Sequence, residues 1–250
     1  AGLIGGLEKR RDRFEIQWGA IVLNSGRLLM IDEAQGLKDD TLEALTDIRS
    51  TGIAQIIKIH KEEAPARTRL IMIFNPKEGR TLDTYEHGVE AIYPGMFRKP
   101  EDVRRIDIAI AVASGEVDPS ELNRTYHEAE TPYFTSEDCY NLVMWAWSRK
   151  RHQVHVTRDA EQMLLYHAKY LGETYSSRIP LVEGADVRFK LARVAIAGAA
   201  RTFSTDDGVN VKVDIEHAHF AGKFLDQCYR SNALGYDRYS ARHLSAQRYV

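Results

Sequence analysis

Leu28-Leu29-Met30-Ile31-Asp32-Glu33 is a run of four apolar residues that ends in two adjacent carboxylates. Where such a run forms a buried parallel strand, its C-terminal end opens on the crevice in which α/β proteins bind ligands. An aspartate there can hold Mg2+ through the ion's waters, and the following glutamate can polarise an attacking water. The same six residues also read as a core strand ending in two solvated acids, and the string alone does not choose between them. A second apolar run, residues 70–74, ends in Asn75-Pro76. A neutral amide at the tip of a neighbouring strand can hydrogen-bond a γ-phosphate or its attacking water without adding charge. Pro76 ends the strand by removing a ladder donor. Asn-Pro by itself is only a turn signal; with Asp32 and Glu33 it makes a constellation suited to nucleotide hydrolysis.

Certain elements must bring these tips together. Residues 1–16 are glycine-rich, then alternating and basic through Lys9, Arg10, Arg11 and Arg13, the pattern of a short hairpin or loop. Residues 20–23 and 28–31 are short apolar runs around the turn signal Asn24-Ser25-Gly26. Leu37, Leu42, Leu45 and Ile48 fall near helical spacing, with Asp39 and Asp40 in the first turn, where the helix dipole favours them. Residues 53–59 and 67–74 read as β segments separated by the charged Lys61-Glu62-Glu63, and 106–113 is a further apolar run. Strands alternating with helices up to about residue 113 predict an α/β fold with a mainly parallel sheet. From Ser136 the pattern turns helical: Ser136 opens a helix over 139–149, Thr157 one to about 171, Asp186 one to 201, and a fourth spans 215–229. The expected division is a first domain over 1–113, a polar linker over 114–135, a helical domain over 136–229 and a tail over 230–250.

The 250 residues carry 34 Lys+Arg against 36 Asp+Glu, a net charge of −2. That balance excludes a uniformly basic nucleic-acid coat, so any nucleic-acid contact must come from local patches. Cys139 and Cys228 give neither a disulfide framework nor metal-ligand spacing, which points to a reducing compartment. No stretch approaches the roughly 18 apolar residues of a membrane span, and no signal-peptide pattern opens the chain. The expected location is cytoplasmic, nucleoid-associated or viral in origin, and not secreted.

Taken in order, Gly19-Ala20-Ile21-Val22-Leu23, then Leu29-Met30-Ile31-Asp32-Glu33, then Ala66-Arg67-Thr68-Arg69 leading into Phe74-Asn75-Pro76 resemble the AAA+ ATPase core of minichromosome maintenance (MCM) replicative helicases. Arg104-Arg105-Ile106-Asp107 is similar to that family's Arg-Phe-Asp motif, with Ile106 where the family usually has Phe, and the helical stretch 188–201 extends the likeness. It covers most of residues 1–225 and departs at many positions, as a divergent archaeal, bacterial or viral relative would. The resemblance implies a P-loop-type α/β core followed by a helical lid. It makes Asp32 and Glu33 the Walker B pair, with Asp32 holding Mg2+ beside ATP, and makes Asn75 the sensor-1 residue. Arg105 becomes the arginine finger that reaches a neighbouring subunit's γ-phosphate, with Arg104 as a rival and an ion pair to Asp102 or Asp107 as the plainer reading. Arg188 resembles the sensor-2 arginine, with Arg193 as competitor.

The resemblance also implies self-association into a ring, a hexamer in the family's usual form, whose central channel takes single- or double-stranded DNA without sequence preference. Residues 1–16 look like the tail of the helix-2 insert hairpin, with Lys9, Arg10 and Arg11 at its tip. Residues 53–67 look like the presensor-1 hairpin, with Lys58 and Lys61 near its turn. Lysines on such hairpins would follow the phosphate backbone, and Glu62 and Glu63 dilute their charge. Trp145 and Trp147 before Arg149-Lys150-Arg151 read either as base-stacking residues or as part of a packed helix.

No Gly-x-x-x-x-Gly-Lys-Ser/Thr occurs in the chain. In the family that loop precedes the helix-2 insert, so the start at Ala1, without Met, reads as the C-terminal portion of a longer ATPase. Two other readings compete. One is a MoxR- or chelatase-like remodeller acting on protein; the other is a DNA-binding scaffold without a phosphate loop.

Overall fold

The structure is a computed structural model that describes residues 2–10, 13–58, 61–113, 116, 118–122 and 133–247. The fold is mixed α/β, and the chain divides into two compact units. One comprises Ala1–Thr81 with Tyr93–Arg105; the other comprises Leu82–Ile92 with Ile106–Val250.

The first unit opens with a hairpin of β1 (Gly5–Arg10) and β2 (Arg13–Trp18), paired from Gly5 opposite Trp18 to Arg10 opposite Arg13. The apolar run that follows is a single helical turn, α1 (Ala20–Leu23), and not a strand. Gly19 starts it by accepting the N–H groups of Val22 and Leu23, and the Asn24 side-chain amide donates back to Ala20 at 2.8 Å. β3 (Leu28–Ile31) then leads to α2 (Asp39–Thr51), whose C-cap Gly52 takes the left-handed conformation at φ 69°. Packing of Arg67 against Gly52 leaves no room for a Cβ. β4 (Ile53–Ile57) and β5 (Lys61–Pro65) form an antiparallel hairpin, and β6 (Arg69–Met72) returns parallel to β3. The core beneath them is Ile21, Leu45, Ile48, Ala54 and Ala66, packed by Leu29, Leu70 and Met72 from the parallel pair. The short α3 (Pro100–Arg104), with proline at its first turn, closes the unit.

Three expectations are corrected here. The charged Lys61-Glu62-Glu63 is a strand and not a separator, because all three residues are exposed on a two-stranded hairpin, which tolerates charges that a buried strand does not. The described strands form separate pairs, not one mainly parallel sheet; short links between β1 and β2 and between β4 and β5 permit only antiparallel pairing. Residues 106–113 form no strand, since no described strand pairs with them, and Ile108, Ile110 and Val112 stay exposed.

The second unit begins with α4 (Pro119–Leu122) and α5 (Ser136–Ser148). Thr135, one residue before the expected start, caps α5 by accepting the Asp138 N–H at 3.1 Å. α6 (Arg158–Thr174), α7 (Val187–Arg201) and α8 (Ile215–Arg230) match the other expected helices closely. Thr157 caps α6 through Ala160 N–H. The unit is not purely helical, because β7 (Val154–Val156) and β8 (Val211–Val213) form a short parallel pair. Residues 230–250 contain a packed helix, α9 (Tyr236–Gln247). Tyr236 is fully buried and stacks on Tyr175 at 5.1 Å. Segment 82–92 belongs to this unit because Val89 N–H donates to the Leu234 carbonyl at 2.8 Å and Gly88 lies directly on Ala233. Among the described residues, no helix is long and apolar enough to cross a membrane.

His167 of α6 is 6% exposed and sits over Gly222 of α8, where an added Cβ would strike the imidazole. Its Nε2 lies 3.2 Å from Nδ1 of His219, within hydrogen-bonding distance, one ring donating to the other according to tautomer. Burial and then the charge of His219 hold His167 below the ordinary histidine range; Asp226 opposes this shift and Lys223 adds to it. The neutral ring is therefore favoured in the fold, while the unfolded chain protonates first as pH falls through about 6.5. Stability of this unit is expected to decline below that pH and to level off once His167 itself protonates. Urea unfolding at pH 7.5 and 5.5 checks this, and His167→Gln should flatten the decline; an unchanged decline in the variant contradicts the assignment.

Candidate functional site

The parallel register pairs Leu28 with Arg69 and Ile31 with Met72, so both strands end at the same side. Asp32 and Glu33 follow one strand and Asn75 follows the other. Pairing continues past the strands proper: Ile73 N–H donates to Ile31 at 2.9 Å, and Ala34 N–H donates to Ile73 at 2.9 Å. Asp32 Oδ1 accepts the N–H of Glu33 at 2.8 Å, which leaves Oδ2 of this exposed residue without a hydrogen bond among the described residues. Glu33 itself is left-handed, at φ 51° and ψ 39°. A glutamate gains nothing intrinsic from that conformation, which costs on the order of 1 kcal/mol and is held by its surroundings. A turn of 3-10 helix, Ala34–Gly36, follows, and Gln35 Oε1 accepts the backbone N–H of Asn75 at 3.1 Å. Asp32, Glu33 and Asn75 are all exposed.

This arrangement can do specific chemistry. Two exposed carboxylates beside a neutral amide can hold a hydrated divalent cation, polarise water and steady a phosphate. Mg2+ keeps several of its waters and takes one or two carboxylates together with substrate phosphates, so the half-free Asp32 carboxylate fits it. Among the described residues, no group of three or more His, Cys, Asp or Glu forms a closed metal cage.

Arg105 follows α3, and its Nη1 donates to the Thr46 carbonyl of α2 at 2.6 Å. It pairs with neither Asp102 nor Asp107. One of its five donors is used there, and the residue remains exposed. Arg104 is half-buried. Asp102 is only 4% exposed and accepts the Thr46 hydroxyl, while Arg49 Nη2 donates to its backbone carbonyl at 3.2 Å. In the second unit, Arg193 is committed to Asp107 at 2.7 Å. Arg188 is exposed and lies over the ring of Phe189 at 4.9 Å, with no ion pair among the described residues. Of the two candidates, Arg188 is the one whose charge stays available to a ligand.

The basic residues are spread over the two hairpins. Lys9 is exposed near the end of β1, Arg10 ends that strand, and Arg11 lies outside the described residues. Lys58 is exposed just past β4. Lys61 opens β5 and its ammonium pairs with Glu63 at 2.7 Å, an exposed ion pair within the hairpin. Trp145 is a packing residue: its ring meets Phe203 at 4.7 Å and its N–H donates to Gly208 at 2.7 Å. Arg149 lies across the same ring and donates to Val209.

Sequence reading misses Gln35 and the Thr46–Asp102 contact. Nothing in a sequence marks a side chain that holds a backbone N–H forty residues away. Thr46, however, is a polar residue beside Leu42 and Leu45 on the buried face of α2, which is a usable signal for a buried polar partner. No model of a known protein family matches the chain, and neither does any curated protein sequence.

Thr46→Val keeps the volume but leaves the buried Asp102 carboxylate without its hydroxyl donor. A loss of about 1–3 kcal/mol is expected, read as the urea midpoint of the first unit. A change within 0.3 kcal/mol (roughly the measuring scatter) means that the contact does not stabilise the fold.

Proposed function

We propose that this chain is the part of an MCM-type AAA+ ATPase that runs from the helix-2 insert, after Walker A, through the Walker B strand to the lid, and that the whole protein couples ATP hydrolysis to movement along DNA. The observation that carries this reading is the parallel pairing of β3 with β6, which sets Asp32-Glu33 and Asn75 at one end of two adjacent strands. On this reading Asp32 holds Mg2+ through water, and the ion when bound neutralises phosphate charge. Glu33 orients and polarises the attacking water, and Asn75 hydrogen-bonds that water or the γ-phosphate. Arg105 and Arg188 meet the phosphates of a neighbouring subunit in a ring, where a guanidinium stabilises charge on the transferring group. The resemblance of the motif string and the available charge of Arg188 support these roles. The phosphate-cradling loop that hydrolysis requires is not among these 250 residues, so on this reading the activity is that of a protein in which such a loop is joined to this chain.

In such a protein Glu33→Gln is expected to lower ATP turnover by at least about 100-fold while nucleotide affinity changes little. The 250-residue chain alone is expected not to turn over ATP. Retained turnover in the variant, or turnover by the chain alone, contradicts the assignment of Glu33 and of the missing loop.

One observation favours the runner-up, a MoxR- or chelatase-like remodeller of proteins: the β4–β5 hairpin carries Glu62 and Glu63 beside its lysines, and Lys61 is paired with Glu63. Single-strand DNA affinity measured across salt concentrations separates the two. If Lys58 and Lys61 face DNA, replacing both with alanine weakens binding and flattens the salt dependence by about two phosphate contacts. Unchanged affinity and slope remove the hairpin from the DNA interface and leave the protein-remodelling reading ahead.

A further inference from the structure

Two loops leave the same end of the β3–β6 pair, and backbone pairing alone does not fix where they go. The ladder ends with Ala34 N–H on the Ile73 carbonyl. Beyond that point Phe74, Asn75 and Pro76 leave the strand, and Pro76 contributes no N–H. A single hydrogen bond then joins the Asn75 backbone to the other loop: the side-chain carbonyl of Gln35 accepts the Asn75 N–H at 3.1 Å. Gln35 is itself held by the 3-10 turn, in which Gly36 N–H donates to Glu33 at 2.9 Å and Leu37 N–H to Ala34 at 3.1 Å. The turn begins at Glu33, whose left-handed backbone redirects the chain toward β6.

We propose that Gln35 is a positioning residue: its side-chain carbonyl ties the Asn75 loop to the Asp32-Glu33 loop, and so sets the amide of Asn75 against the two carboxylates. This rests on the hydrolytic reading of those three residues. Gln35 touches neither water nor phosphate in this role. It acts through Asn75, so its loss changes the geometry of the reacting group and not the number of groups present. Misplacement of a catalytic group by about 1 Å can cost on the order of 100-fold in rate, and the Gln35–Asn75 bond is a tie between these loop tips among the described residues.

The chemistry required is an acceptor of one proton at the right reach. Glutamate provides one with the same geometry; methionine fills the same volume and provides none of comparable strength. Gln35→Met and Gln35→Glu therefore separate hydrogen bonding from packing.

The first measurement is amide hydrogen exchange on the 250-residue chain. Gln35→Met is expected to speed exchange at Asn75 at least tenfold and leave Ile73 unchanged, whereas Gln35→Glu keeps Asn75 protected. Equal protection of Asn75 in the wild type and Gln35→Met overturns the proposal whatever the protein does with ATP. The second measurement uses the longer protein that carries the phosphate loop. There Gln35→Met is expected to lower kcat at least tenfold with KM for ATP within twofold, and Gln35→Glu restores most of kcat. A variant that loses Asn75 protection yet keeps full kcat also overturns the positioning role. A wild-type protein without ATP turnover overturns the hydrolytic reading instead, and with it the role assigned to Gln35, while the exchange data still report the hydrogen bond.

Discussion

Parallel pairing between β3 and β6 is the constraint on which the first unit rests. Parallel strands cannot be joined by a tight turn, so the chain must spend α2 and the β4–β5 hairpin between them. That detour supplies most of the core, because Leu45 and Ile48 of α2 and Ala54 of β4 pack beneath Leu29, Leu70 and Met72 of the pair. The same pairing sends both strand ends to one side, where two carboxylates and an amide meet water. Its outer surface is less complete: Met30 is 58% exposed, and Leu28, Ile71 and Ile73 are also exposed. Parallel strands are ordinarily covered on both faces, whereas the outer face of this pair remains bare.

The second unit depends on helix packing around small residues and buried polar contacts. Gly222 lets α8 approach α6 beneath His167, and Gly198 lets α7 approach Phe220 of α8. Lys190, buried within α7, donates to the Leu181 carbonyl at 2.6 Å, and burial pushes its ammonium down to about 8. That bond fixes the start of α7, from which Arg188 projects. An exposed cation is thus carried on a helix whose root is pinned internally.

Patterns of short range are legible in the sequence. Helical spacing, with acidic residues in the first turns of α2, α6 and α8 and at the N-cap of α7, finds these four helices to within a few residues, because capping and amphipathic packing are local. The β1–β2 hairpin is legible as well, from its alternating pattern, whereas the charges of β5 hide the second hairpin from a reading of pattern alone. Pairing between distant segments is less so. Residues 106–113 have the composition of a strand, yet a strand exists only where a partner completes its hydrogen bonds. The brief β7–β8 pair has only three residues on each side and no alternation long enough to read. The tail's helix is hidden because its packing residue, Tyr236, sits in a polar, arginine-rich stretch. In the candidate site, residue types announce Asp32, Glu33 and Asn75. Gln35 does not announce itself, since its importance lies in a contact with backbone far along the chain.

That Asp32, Glu33 and Asn75 form one site around a metal-bound nucleotide is open to direct measurement. In the proposed protein that joins a phosphate loop to this chain, Mn2+ can replace Mg2+ beside a non-hydrolysable ATP analogue, and paramagnetic broadening then reports nearby nuclei. The account predicts loss of the Asn75 side-chain amide signal together with the backbone signals of Glu33 and Ala34, while residues of the β1–β2 hairpin are unaffected. An Asn75 amide that stays sharp while Glu33 broadens would contradict it, because the two strand tips would then serve different ends.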